Sequence, residues 1–132
     1  MNIRKGEIVN KKRPVHLDLT KISFPPMALV SIGHRISGVL MFLLLPLAIY
    51  LLRESLLSAE GFAHVQALCS TFFVRLALWA LASATLFHLF AGIRHLIMDF
   101  GWGETVEQGR KTAYAVFILS AIMIVILGVW IW

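Results

Sequence analysis

Three long apolar runs set what this chain can fold into: Ala28 to Leu52, Phe72 to Met98 and Thr112 to Trp132. Each supplies the roughly 20 residues that carry a helix across a hydrocarbon layer ~30 Å thick. Inside that layer every backbone N–H and C=O must be satisfied within its own segment, which selects helices. Barrel strands would alternate polar and apolar residues over many shorter copies, and these runs do not. The composition agrees: of 132 residues, 59% are hydrophobic and 14% charged, against about 45–50% and about 25% in soluble domains. The expectation is an all-α integral membrane bundle of three transmembrane helices, at about 28–52, 72–98 and 112–132. A polar N-terminal arm, 1–27, precedes a single membrane domain, 28–132.

The net charge of +5 is distributed as orientation charge. Arg4, Lys5, Lys11, Lys12, Arg13 and Lys21 lie in the arm, and Arg94, Arg110 and Lys111 lie in or beside the second loop. The first loop offers only Arg53, with Arg75 just inside the second helix, and the C-terminus has no cation. The positive-inside rule places the arm and the second loop in the cytoplasm and the C-terminus outside, with Trp130 and Trp132 as an interfacial belt. Cations grouped this way do not form the solvated basic face of a nucleic-acid-binding protein. No apolar stretch follows a short basic start, so the arm is expected to be retained rather than removed as a signal peptide. The single cysteine, Cys69, excludes an internal disulfide and a cysteine metal cluster built by this chain alone.

Pro25 and Pro26 mark the start of the first helix, because proline is tolerated there and not in a helix interior. Pro46 predicts a kink near that helix's far end. The stretch from Arg53 to Thr71 has the composition of a connection with a short amphipathic helix, and Gly101, Gly103 and Gly109 read as turns.

Ionisable residues within a transmembrane segment are costly and therefore candidates for function. On the first helix, Ser31, His34, Arg35 and Gly38 recur at spacings of three, four and seven and predict one polar stripe near the cytoplasmic side; the competing reading is that Arg35 snorkels to the headgroups and Ser31 bonds its own backbone. On the second, Ala84, His88, Gly92, His95 and Asp99 do the same. His88 lies roughly 15 Å of helix from the cytoplasmic end, close to mid-bilayer. The small residues a turn away on either side leave space beside it, and close helix packing would also explain them. A neutral imidazole there suits axial ligation of haem. A hydrogen-bonded packing histidine and a proton relay are the other readings of the same residue. His88 and His95 are roughly 10 Å apart along one helix face and cannot share one iron. His16 and His64 fall outside the apolar runs. A second axial ligand would then come from another chain. His34, Arg35 and Arg94 could offset the charge of haem propionates. For Arg94, off the His88 stripe, snorkelling to the headgroups is the preferred reading.

Three segments carry a resemblance: RPVHLDL at Arg13 to Leu19, SIGHRISG at Ser31 to Gly38, and HLFAGIRHLIMDFG at His88 to Gly101. In order and spacing they resemble the cytochrome b membrane-anchor subunits of succinate dehydrogenase, respiratory complex II. The likeness is to the proteobacterial branch and extends over nearly the whole chain.

The resemblance implies a subunit that pairs with a second three-helix anchor in a bacterial inner membrane, with one haem b between them. His88 matches the family's haem ligand, so the metal it would hold is haem iron. His34 and Arg35 correspond to residues near the propionates. Ser31 and Arg35 match residues of a ubiquinone pocket near the cytoplasmic face, and Leu19, Phe24 and Ile32 match its apolar wall. An iron–sulfur subunit and a flavoprotein dock on that face and deliver electrons from succinate. The chemistry is compatible: a hydroxyl can donate to a quinone carbonyl, a fixed cation stabilises the negative charge of a quinone being reduced, and an apolar wall accommodates its ring. With no flavin fingerprint and no cysteine cluster, the chain is expected to be inactive toward succinate alone. An anchor of a fumarate reductase, and a purely structural or proton-conducting membrane subunit, are the competing readings.

Overall fold

The computed structural model describes residues 24–103 and 105–132. The arm up to residue 23, with Leu19 and His16, lies outside the described residues. Four helices follow in order: α1 Pro26–Leu57, α2 Ala59–Cys69, α3 Phe72–Asp99 and α4 Val106–Ile131. Three of them, α1, α3 and α4, are long and apolar enough to cross a membrane. At ~1.5 Å per residue, even the 26 residues of α4 span about 39 Å. Each long helix therefore overshoots a ~30 Å hydrocarbon core.

Helix α1 starts where the prolines place it. Pro25 is the extended N-cap and Pro26 opens the helix, where a missing N–H costs nothing. The helix runs through Pro46 and continues five residues past the expected end at Leu52, to Leu57. Hydropathy falls at Arg53, yet a helix needs no apolar residues to persist in the headgroup region. It ends at Ser58, whose extended backbone breaks the spiral and whose hydroxyl accepts from Gly61 N–H at 3.0 Å to cap α2. The short helix expected between Arg53 and Thr71 is α2.

Helix α4 begins six residues before the apolar run, at Val106, because capping rather than hydropathy sets its start. Thr105 Oγ1 accepts from Gln108 N–H at 3.3 Å, and Glu107 sits in the first turn, where an anion offsets the exposed N–H groups. Gly101 and Gly103 form the turn with φ of 80° and 83°, a backbone open to glycine and strained for other residues. Gly109, read from the sequence as a turn, is instead buried inside α4, where it leaves room for the Met27 side chain.

The long helices all pack against one another, while α2 lies against α1 and α3. The core is small: Val30, Ala91, Ala113 and Val116 are buried, ringed by Met27, Phe87, Phe90 and Phe117. Alanines let the backbones approach closely, which is how transmembrane helices associate without a hydrophobic driving force. Only 11% of each spanning window is buried, so most of the apolar surface is left to lipid or to neighbouring subunits. At the α2 end, Trp132 packs edge-on to Phe72 and Trp79, while Trp130 is exposed.

Candidate functional site

The site lies on the seam between α1 and α3. Antiparallel packing brings the turn around His34, eight residues into α1, beside the stretch His88–His95 of α3. His88 is half-buried, and its Nδ1 is held by α1. That nitrogen lies 3.1 Å from the His34 backbone carbonyl and 3.1 Å from Ser37 Oγ. A carbonyl can only accept, so the contact assigns a proton to Nδ1; in a neutral ring Nε2 then carries the lone pair. No described residue forms a hydrogen bond with Nε2. Gly38 gives the ring its room, since a Cβ there would stand 3.3 Å from His88 Cε1.

The His34 ring stacks on His88, with centroids 3.9 Å apart and planes inclined at 22°. His95 meets the other part of His34 edge-on, at 5.3 Å and 63°. Gly92 faces His34, and a Cβ there would lie 3.5 Å from its Nε2. The small residues of the α3 stripe thus serve close packing of α1 on α3: the space beside Gly92 is taken by the His34 ring. Among the described residues, no group of three or more His, Cys, Asp or Glu is placed to hold a metal ion. The three imidazoles form one stacked and one edge-on contact rather than a chelate.

The α1 stripe divides between two faces. His34 and Gly38 turn toward α3, Ser31 is half-buried at the edge of the seam, and Arg35 is exposed. Arg35 borders an apolar groove with Ile36, Val39, Leu40 and Leu43. Ile32 and Phe24 are 41% and 42% exposed. Ser31, Ile32 and Arg35 therefore share one end of α1 with an uncovered apolar surface beside a fixed cation. Leu19 falls outside the described residues. His64 is exposed on α2, and Asp99 is exposed at the end of α3.

Arg94 departs from the expected snorkelling. It is 5% exposed and turned toward α4 rather than along the histidine stripe. Its Nε donates to Thr112 Oγ1 at 3.1 Å and its Nη2 to the Gly109 carbonyl at 3.3 Å. The guanidinium reaches across to α4 because Gly109 exposes its carbonyl there and Thr112 lies one turn on. A groove of about 620 Å³ adjoins it, lined by Ile97, Trp102 and Leu119 among others, on the face away from His88.

Ser37 was not singled out by sequence reasoning. In a transmembrane helix a serine commonly bonds its own backbone, and Ser37 does so, donating to His34 O at 2.8 Å. The available signal was its spacing: three residues after His34 and one before the glycine that faces His88.

Comparison with known proteins agrees with this architecture. The sequence model described as "Succinate dehydrogenase/Fumarate reductase transmembrane subunit" matches residues 9–127. The succinate dehydrogenase cytochrome b556 subunit of Coxiella burnetii is 59% identical over 94% of this chain and 100% of its own length. The cytochrome b556 subunit of Rickettsia prowazekii is 31% identical over 95% of this chain and 97% of its own. The mitochondrial cytochrome b560 subunit of Bos taurus is 31% identical over 89% and 70%.

Proposed function

Because the chain belongs to the succinate dehydrogenase/fumarate reductase transmembrane subunit family, we propose that it anchors a succinate:ubiquinone oxidoreductase, co-ligates haem b through His88 and contributes to the ubiquinone site. The observation that carries this reading is the fixing of His88. Its Nδ1 is engaged by the His34 carbonyl and Ser37. Metal-bound histidines characteristically donate their second N–H to just such an acceptor. Haem b bound there would supply a one-electron carrier at mid-membrane depth.

The other haem ligand would come from a partner anchor subunit. His34 cannot serve, because rings stacked at 3.9 Å leave no room for a porphyrin and its iron between them. His34 and Arg35 are placed near the propionates, where cationic or donating groups offset buried anions. The quinone headgroup is placed at Ser31 and Arg35, with Ile32, Phe24 and Leu19 along its ring. Ser31 would donate a hydrogen bond, and Arg35 would stabilise the charge that accumulates on reduction.

The positive-inside rule puts the start of α1 and the α3–α4 turn on the cytoplasmic side of a bacterial inner membrane. The iron–sulfur and flavoprotein subunits then dock on that face, adjacent to Ser31 and Arg35. Alone, the chain does not oxidise succinate.

The test is the complex purified in detergent through a tag on this chain. Co-purification of the partner subunits with succinate-reducible haem b is the expected result. A complex with succinate–quinone activity and no haem, or a chain that recovers no partners, would refute the reading.

A further inference from the structure

We propose that Ser37 is a positioning residue for the haem ligand. With the His34 carbonyl it clamps the Nδ1 edge of His88, so that Nε2 is presented to iron in one orientation. The inference rests on the reading that His88 ligates haem.

Three features within about one turn of α1 form the clamp: the His34 carbonyl, Ser37 and Gly38. Ser37 is 6% exposed, on the face of α1 turned to α3. Its hydroxyl donates to the His34 carbonyl at 2.8 Å and has its oxygen 3.1 Å from His88 Nδ1, 51 residues away in sequence. The Nδ1 proton is therefore shared between two acceptors, one of them a backbone carbonyl fixed by the helix. Gly38 completes the clamp by admitting Cε1. A serine that only satisfied its own hydroxyl would need the first bond and not the second.

The two contacts do different things. The carbonyl sets which nitrogen carries the proton. Ser37 adds a second, off-axis acceptor, and within the packing set by His34 and Gly38 two attachments at Nδ1 hold the rotation of the ring about its Cβ–Cγ bond more tightly than one. A ring less firmly held would present Nε2 to haem iron less steadily and weaken the bond. Outer-shell partners of this kind typically change metal affinity by about 10–100-fold.

The readout is carbon monoxide binding to the reduced haem in the purified complex, because carbon monoxide takes an axial position only when a ligand lets go. Low-temperature EPR of the oxidised haem is recorded alongside it. Ser37→Ala removes atoms and introduces no clash. It is expected to assemble, to raise the carbon monoxide-binding fraction about tenfold over wild type, and to broaden the low-spin signal. Ser37→Thr retains the hydroxyl and is expected to return both toward wild type. Should Ser37→Ala fail to assemble, Ser37→Cys takes its place: of similar shape with a weak acceptor, it must give an intermediate fraction. A wild-type fraction and signal in an assembled Ser37→Ala or Ser37→Cys complex overturn the proposal. His88→Ala separates the two layers. If it retains the wild-type haem, the ligand assignment itself has failed. If it loses that haem while Ser37→Ala is unchanged, only the role of Ser37 has.

Discussion

The imidazole of His34 lies flat against that of His88, 3.9 Å between centroids, and this contact fixes how deeply α1 and α3 interlock. Two glycines make it possible. Gly38 on α1 admits the His88 ring and Gly92 on α3 admits the His34 ring, so each helix accepts the other's histidine. The helix pairing and the orientation of the His88 ring therefore depend on the same four residues.

Enlarging either glycine should expose that dependence. Gly38→Val is expected to displace the His88 ring at a cost of about 1–3 kcal/mol, the usual range for overpacking. The haem-to-flavin ratio of the purified complex should fall, with a lower thermal midpoint. Gly92→Ala, whose added carbon meets His34 at an ordinary contact distance of 3.5 Å, should leave both close to wild type. Equal tolerance of Gly38→Val would mean that the seam is looser than the packing implies.

Quinone reduction should separate from succinate oxidation in two variants. Ser31→Ala and Arg35→Ala are expected to slow succinate–ubiquinone turnover roughly 10–100-fold, the equivalent of one lost hydrogen bond to a charged group. Reduction of an artificial dye by succinate, which bypasses the membrane subunits, should be unaffected. Parallel loss of both activities would show that these side chains act in assembly instead.

Arg94 should matter for stability rather than for the chemistry. Its two hydrogen bonds tie α3 to Thr112 and Gly109 of α4, and interhelical bonds in membranes contribute about 0.5–2 kcal/mol each. Arg94→Ala should lower the thermal midpoint of the complex while the haem spectrum of the folded fraction stays the same. A spectral change without loss of stability would point to a direct effect on the haem environment.

The three spanning helices were legible because hydropathy reports the membrane directly. Their ends were not, because α1 persists past Arg53 to Leu57 and α4 starts at the Thr105 cap, where residues outside the bilayer need only helical geometry. The shared face of His88, Gly92 and His95 on α3 was legible from their steps of four and three, while Asp99, on the same stripe, is exposed at the helix end. The α1 stripe was only half so: His34 and Arg35 are adjacent, and a step of about 100° per residue sends one to α3 and the other outward. Arg94 was misread because spacing shows which side of its own helix a residue occupies and says nothing of what the neighbouring helix brings there. Ser37 was missed for the same reason, since its partner is 51 residues away.

The most direct test of the central claim is the reduced-minus-oxidised difference spectrum of the complex carrying His88→Ala, compared with wild type at equal flavin content. With His88 as an axial ligand, the low-spin haem b band should be lost or strongly diminished while dye-linked succinate oxidation persists. An unaltered band in the assembled variant would contradict the claim.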